Sequence, residues 1–392
     1  MKKRSLATSG LLLVSAFSRA QAAEPLTVWE KAPANEEADA RKLGDELINL
    51  VKKEYTTQGK RAFRDAHPRG IGCVEANFTV DPNLPAKYRT GVFASPGKSY
   101  DALLRFSSSL GPAGDQVKDA RGLAIKIFGV PGQKLLADQP DAVTHDFLHI
   151  DAPTFPARDA NEFAGIVALK SNPASAVKFV LSNPVLRAKE IKAVLDLSSG
   201  NPNNGKSLAE RTYFSQVAYL FKGSQVNSPI KFSTRPCGPV ESRSLDGSDG
   251  ELRNDLQDRL NEGELCFNFA VQFYKDGAGF TVEDGMNEWK EDKSPFITVA
   301  KIRIPKQKFL TDDKLRYCDA LSFQPWHALP EHRPLGNINR SRKIIYDMVS
   351  DYRHKTNQEN ASRPEPKDLS EWRALTSETY SNWNNVTVPA GR

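Results

Sequence analysis

Seven short segments with a β-forming pattern, split into two batches by a helical stretch, constrain the fold of this chain more than any other feature. The first batch is 72–80, 100–107, 121–128 and 146–150; the second is 230–234, 266–274 and 296–304. Val74, Ala76, Phe78 and Val80 recur at every second position, the period of a strand with one buried face. Phe267, Phe269 and Phe273 likewise share one face of their segment. Between the batches, about 159–222 reads as helix, broken at Pro173, Pro184 and the turn from Gly200 to Gly205. Two further helices are predicted: 36–55, with Leu43, Leu47, Leu50, Val51 and Tyr55 on one side, and 339–352, with Ile345, Met348, Val349 and Tyr352. Strands grouped apart from helices predict an α+β fold, and the absence of a glycine-rich phosphate loop argues against a nucleotide-binding winding.

The first 22 residues stand outside that fold. Lys2-Lys3-Arg4 precede a short apolar run at Leu11–Val14, and Ala20-Gln21-Ala22 has the small-x-small form of an export cleavage site. Residues 1–22 therefore read as a signal peptide and the mature chain as periplasmic. The whole chain carries 54 Lys+Arg against 48 Asp+Glu; without Lys2, Lys3, Arg4 and Arg19 the count is 50 against 48, a net of +2. A near-neutral chain has no electrostatic reason to bind nucleic acid, and no later segment reaches the roughly 18 apolar residues of a membrane span. Residues 23–361 are expected to form one domain, and 362–392, rich in Pro, Ser, Asn and Glu, a loosely packed tail. Cys73, Cys237, Cys266 and Cys318 lack CxxC spacing. Free buried thiols are the default, with Cys73 read as a small buried residue; a Cys237–Cys266 bridge is the alternative in an oxidising compartment.

Three basic clusters carry candidate chemistry. Arg64 and His67 lie in Arg64-Asp-Ala-His67-Pro-Arg69-Gly70. Arg105 and Ser107 alternate on one face of a predicted strand, and Arg342, Tyr346 and Arg353, spaced by four and seven, share one side of the last predicted helix. A free tyrosine ionises near pH 10, at about that value; a guanidinium one turn away and a bound ferric ion would together bring its phenolate into the neutral range. A neutral imidazole shuttles protons, a hydroxyl beside it sets its tautomer, and arginine forks bind carboxylates bidentately. Taken singly, each cluster has a plainer reading: a solvated helix face, a core histidine, a solvent-facing strand arginine.

Together, and in order over about 60–355, these residues resemble the catalase superfamily, in particular its smaller, catalase-related peroxidase branch. Arg64, His67, Arg69 and Gly70 match the family's Arg-x-x-His-Ala-(Lys/Arg)-Gly stretch. Arg105-Phe106-Ser107 and Arg121-Gly122-Leu-Ala124-Ile-Lys126 match its next two strands, and Arg342, Tyr346 and Arg353 its proximal helix. Ser322-Phe323-Gln-Pro325-Trp326 and Glu331–Gly336 resemble runs of the smaller branch. The resemblance implies a central antiparallel β-barrel with helices packed on it and haem b, with its iron, buried in the barrel. It implies His67 as the distal catalytic histidine with Ser107, Tyr346 as the iron ligand, and Arg64, Arg105, Arg342 and Arg353 as cofactor-binding residues. Two departures stand out: Pro68 beside the histidine, and no asparagine in Asp141–Phe147, where a typical member carries a distal amide. His145 and His149 are the candidate substitutes. One positioned donor is commonly worth about 10²–10³ in rate. The expected activity is therefore that of a haem peroxidase reducing hydrogen peroxide or organic hydroperoxides with a small organic electron donor, with weak catalase activity. Rearrangement of fatty-acid hydroperoxides, and a non-catalytic haem- or lipid-binding barrel, are the alternatives.

Overall fold

The two batches of strands close on each other. In the computed structural model, which describes residues 25–64, 66–109, 114–171, 173–358 and 365–381, nine strands form one antiparallel sheet. They are β1 (Arg69–Val80), β2 (Ser99–Ser108), β3 (Arg121–Phe128), β4 (Thr144–Ile150), β5 (Tyr213–Phe214), β6 (Tyr219–Lys222), β7 (Asn227–Pro236), β8 (Leu265–Phe273) and β9 (Ile297–Ile304). β1 through β4 pair in sequence, β5 joins β4 to β7, and β8 and β9 lead back to β1, so eight strands close a barrel while β6 hangs on the edge of β7. The export signal expected at 1–22 lies outside the described residues.

The alternation read in β1 is the inward face. Phe78, Phe106, Phe147, Phe232 and Phe269 fill the lumen with buried rings, Phe147 stacking against Phe269 at a centroid distance of 4.7 Å. These rings pack against one another along the lumen. The opposite parity faces outward and is covered by helices. Across β2, β3 and β4 the register sets Ser107, Gly122 and Ile150 in one row, Arg105, Ala124 and Leu148 in the next, and Leu103, Lys126 and Asp146 in a third.

The helices over this wall are α1 (Glu36–Glu54), α2 (Ala160–Ser171), α3 (Pro173–Ser182), α4 (Pro184–Leu197), α5 (Glu251–Glu262), α6 (Asp312–Ala320), α7 (Gly336–Thr356) and the short α8 (Ser370–Arg373). The apolar stripes of α1 and α7 meet through Leu43, Leu47, Ile345 and Val349. Gly44 makes that crossing close: a Cβ there would sit 2.8 Å from Met348 Sδ.

Several expectations are corrected. The helical interval ends at Leu197 rather than near 222, because Tyr213–Phe214 is recruited as a strand by distant partners on β4 and β7, and Tyr219–Lys222 forms a hairpin with the strand that follows it, β7. α5 and α6, too polar for a plain apolar stripe, are helices. The cysteines are not free thiols: Cys73 bonds Cys318 across 245 residues, and Cys237 bonds Cys266. Nor is the stretch from 365 to 381 loose. Leu369 and Trp372 are buried, Trp372 against Tyr317 at 5.8 Å, and Ser381 bonds Asp312. Among the described residues no helix is long and apolar enough to cross a membrane.

Candidate active site

Between the outer face of β2–β4 and the helices α1, α2 and α7 lies a cavity of about 480 Å³. Its lining includes all seven residues singled out from the sequence: Arg64, His67, Arg105, Ser107, Arg342, Tyr346 and Arg353. Strand alternation delivers Arg105 and Ser107 to it, and helical periodicity delivers Arg342, Tyr346 and Arg353 from α7.

His67 sits just before β1 and is held from three sides. Ser107 Oγ is 3.2 Å from its Nδ1, and Arg105 Nη2 donates to its carbonyl at 3.0 Å. Beneath the ring is Gly122, where a Cβ would lie 2.6 Å from Nδ1 and 2.7 Å from Ser107 Oγ. The backbone at His67 is left-handed (φ 57°) although Pro68 follows; β-carbon sterics and the proline both disfavour that conformation, and such strain persists only where surroundings over-determine it. Burial, and then the guanidiniums of Arg105, Arg342, Arg121 and Arg64, push the imidazole down to about 3. His67 in the cofactor-free chain is thus neutral throughout the physiological range. Gly122→Ala should force the ring off its seat. A displacement on the order of 1 Å can cost about 10²-fold in rate, so Gly122→Ala should lower any turnover that depends on His67 by about that factor in steady-state assays.

A second group gathers around Asp319 at the end of α6, a residue sequence reasoning missed. Its carboxylate accepts from Arg64 Nη1 at 2.8 Å and Arg61 Nη2 at 3.3 Å. Its carbonyl accepts from Arg353 Nη1 at 2.6 Å, and the Leu321 carbonyl accepts from both Arg64 and Arg353. Burial alone would raise the Asp319 carboxyl, but Arg64, Arg353, Arg61 and Arg105 outweigh it and hold it below its ordinary value. Arg105 is driven well below the usual guanidinium range by burial and by Arg64 and Arg353, with Asp319 opposing. Four guanidiniums around one carboxylate leave a positive excess at this end of the cavity, a demand for further anionic oxygens. Only the whole pattern would have pointed to Asp319, since its partners come from the first and last elements of the domain.

Arg342 turns its guanidinium over the Phe155 ring at 5.6 Å and donates to Asn339 Oδ1 at 3.3 Å. The distal-amide expectation is also re-placed. Asp141–Phe147 does not line the cavity; the wall beside His67 is Leu148–Ile150 and Phe155, and no asparagine is among the described lining residues. Neither histidine is suited to substitute. His145 and His149 project inward with Phe147; Nδ1 of His149 meets Leu123 O at 3.2 Å and its Nε2 meets Thr234 Oγ1 at 3.0 Å, while His145 Nδ1 accepts from Leu329 N.

The residues present suit a haem. Gly122 and Ala124 leave a flat wall, Leu43, Leu47, Phe155, Phe163 and Val349 supply apolar faces, and the arginines at one end await carboxylates. The family model described as Catalase matches residues 47–188. Catalase C of Rhizobium meliloti (strain 1021) is 26% identical over 158 residues, which is 38% of this chain and 21% of that protein. Among solved structures, catalase A from Saccharomyces cerevisiae aligns with a TM-score of 0.60 at 17% identity, over 80% of this chain and 66% of that one. A fungal catalase aligns with a TM-score of 0.57 at 18% identity, over 78% and 63%. The chain thus spans about a fifth of the curated relative and just under two thirds of these solved catalases. Residues 47–188, running from α1 through the distal strands to α4, thus match the catalase family model, and the barrel closes as in those structures; both support membership of the catalase superfamily.

Proposed function

We propose that this protein is a haem-dependent enzyme of peroxide metabolism, of the smaller peroxidase-like branch, that reduces hydrogen peroxide or an organic hydroperoxide at the expense of a small organic electron donor. The observation that carries the reading is His67: neutral, strained, seated on Gly122 and tied to Ser107, on the wall of a cavity that also holds Tyr346 and an arginine cluster. When bound, haem b would supply the iron at which the peroxide O–O bond is cleaved.

The chain's own residues then have defined tasks. Tyr346 would hold the iron from α7, and Arg64, Arg105 and Arg353 would bind the carboxylates, with Arg342 one turn before the tyrosine to favour its phenolate. In the tautomer whose Nδ1–H donates to Ser107 Oγ, the His67 Nε2 is free to accept a proton from one peroxide oxygen and return it to the other, so that water is the leaving group. No asparagine is among the described lining residues, and the amides of Gln216 and Gln324 already donate to the Thr154 carbonyl and to Asp347 Oδ1; this supports peroxidase over fast disproportionation. We further propose that 1–22 directs export to the periplasm; two disulfides suit an oxidising compartment.

The test is a haemin-reconstituted preparation given peroxide with and without a dye donor. Dye oxidation faster than oxygen release supports the reading; oxygen release that outruns it, unaffected by donor, overturns the peroxidase assignment. Tyr346→Phe in the same preparation should shift the ferric charge-transfer and Soret bands, and an unchanged spectrum would remove Tyr346 as the ligand.

A further inference from the structure

The link between Cys73 and Cys318 has a place that stability alone does not explain. Cys73 lies on the outward face of β1, six residues after His67, and pairs in register with Arg105 of β2. Cys318 is followed directly by Asp319, Ala320 and Leu321, and the first and last of these accept hydrogen bonds from the basic cluster. Asp319 receives Arg61, Arg64 and Arg353, and Leu321 receives Arg64 and Arg353. The disulfide thus joins the distal strands to the segment on which the arginines are arranged, across 245 residues of chain. Packing at the junction leaves a gap. Gly70, Gly72, Cys73, Arg105, Leu315, Cys318 and Asp319 surround a void of about 10 Å³, and Gly70, which faces Arg105, brings no side chain to fill it.

We propose that the Cys73–Cys318 disulfide is the positioning element of the carboxylate-binding end of the cavity, so that haem is held tightly only by the chain oxidised at this pair. The inference rests on the haem reading above. With the bond intact, Asp319 and Leu321 keep Arg64 and Arg353 at a set distance from Arg105, on the other side of the disulfide. Reduction by a dithiol delivers two electrons and two protons to the sulfurs, leaving two thiols and an oxidised dithiol. The end of α6 is then tied to β1 by packing around the void, and the three guanidiniums lose their common frame. Cofactor loading would follow oxidation in the compartment where the bond forms.

The experiment is a haemin titration of the full chain against Cys73→Ser/Cys318→Ser, with Cys237→Ser/Cys266→Ser as the control, each checked for folding by circular dichroism. Support for ligand-holding residues is typically worth about 10–100-fold in affinity, and that weakening is expected for the first pair and not the second. Haemin dimethyl ester, which lacks free carboxylates, should bind wild type and the first variant alike. Equal haemin affinity, or an equal loss for haemin and its ester, overturns the proposal. Should the double variant not fold, Asp319→Asn in the oxidised chain takes its place: the same carboxylate-dependent loss is expected, and unchanged affinity overturns the role of the segment. Wild-type chain that binds neither compound would instead sink the haem reading itself.

Discussion

His67→Gln is expected to slow the reaction with hydrogen peroxide by about 10²–10⁴, the usual contribution of a positioned acid–base group, while haemin remains bound. Stopped-flow mixing of reconstituted protein with peroxide measures it directly. The size follows from the surroundings of the ring. Ser107 at Nδ1 and Gly122 beneath orient the imidazole, and burial with nearby guanidiniums holds it neutral, at about 3 in the cofactor-free chain. A folded-state value below the ordinary one disfavours the charged form, so the base stays available from pH 8 down to pH 5. In cofactor-free protein, the His67 ring resonances should accordingly not titrate over that range, and a midpoint near the ordinary value of about 6.5 would contradict the site's electrostatics. A rate for His67→Gln equal to wild type would remove the residue from the chemistry.

Lys126→Ala should cost about 3–5 kcal/mol of stability, the range for stranding a buried charge. Lys126 and Asp146 are cross-strand partners on the outer wall, both completely buried. The ammonium lies 2.8 and 3.0 Å from the two Asp146 oxygens and 2.9 Å from Glu365 Oε2. Burial alone would lower the lysine, but Asp146 and Glu365 reverse this and raise it. Burial would likewise raise Asp146, and Lys126 and His327 hold it below its ordinary value. The sign follows: the carboxylate's contribution is present above the unfolded value of about 3.9 and is lost as pH falls through the lower folded one. The lysine's is present below its unfolded value and is lost only as pH rises through the higher folded one. Removing the cation leaves two carboxylates to share a dry site. Urea unfolding measures the loss, and Lys126→Met/Asp146→Leu should be less destabilising than Lys126→Ala because one carboxylate rather than two is left without the cation. If Lys126→Ala unfolds at the wild-type midpoint, the network carries no stability. Phe323, whose ring is 5.4 Å from the ammonium, and His327 and Glu365 line the cavity, so the network also braces part of the cavity wall.

Much of the molecule is legible in the sequence. The period-two pattern of Val74, Ala76, Phe78 and Val80 turned out to be the inner face of β1, and the stripe on 36–55 became α1, because both signals depend on neighbours two to four residues away. The three basic clusters were legible for the same reason: one strand or one helix suffices to place Arg105 with Ser107, or Arg342 with Tyr346 and Arg353. β5 was not, since two residues carry no period and their pairing is decided by β4 and β7.

From its own order, then, the chain determined the alternation that makes a barrel, the helix that carries Tyr346, and the residue types that meet haem chemistry. Tertiary structure alone decided which side of the barrel wall holds the cavity, with the lumen closed by phenylalanines and the outward row of Arg105, Ser107 and Gly122 left to face the helices. It also decided the left-handed seat of His67, the choice of Cys318 as partner for Cys73, and the placement of Asp319 amid arginines from both ends of the domain. These depend on groups brought together across some 245 residues of chain, and a periodicity that spans one turn or one pleat carries no trace of them.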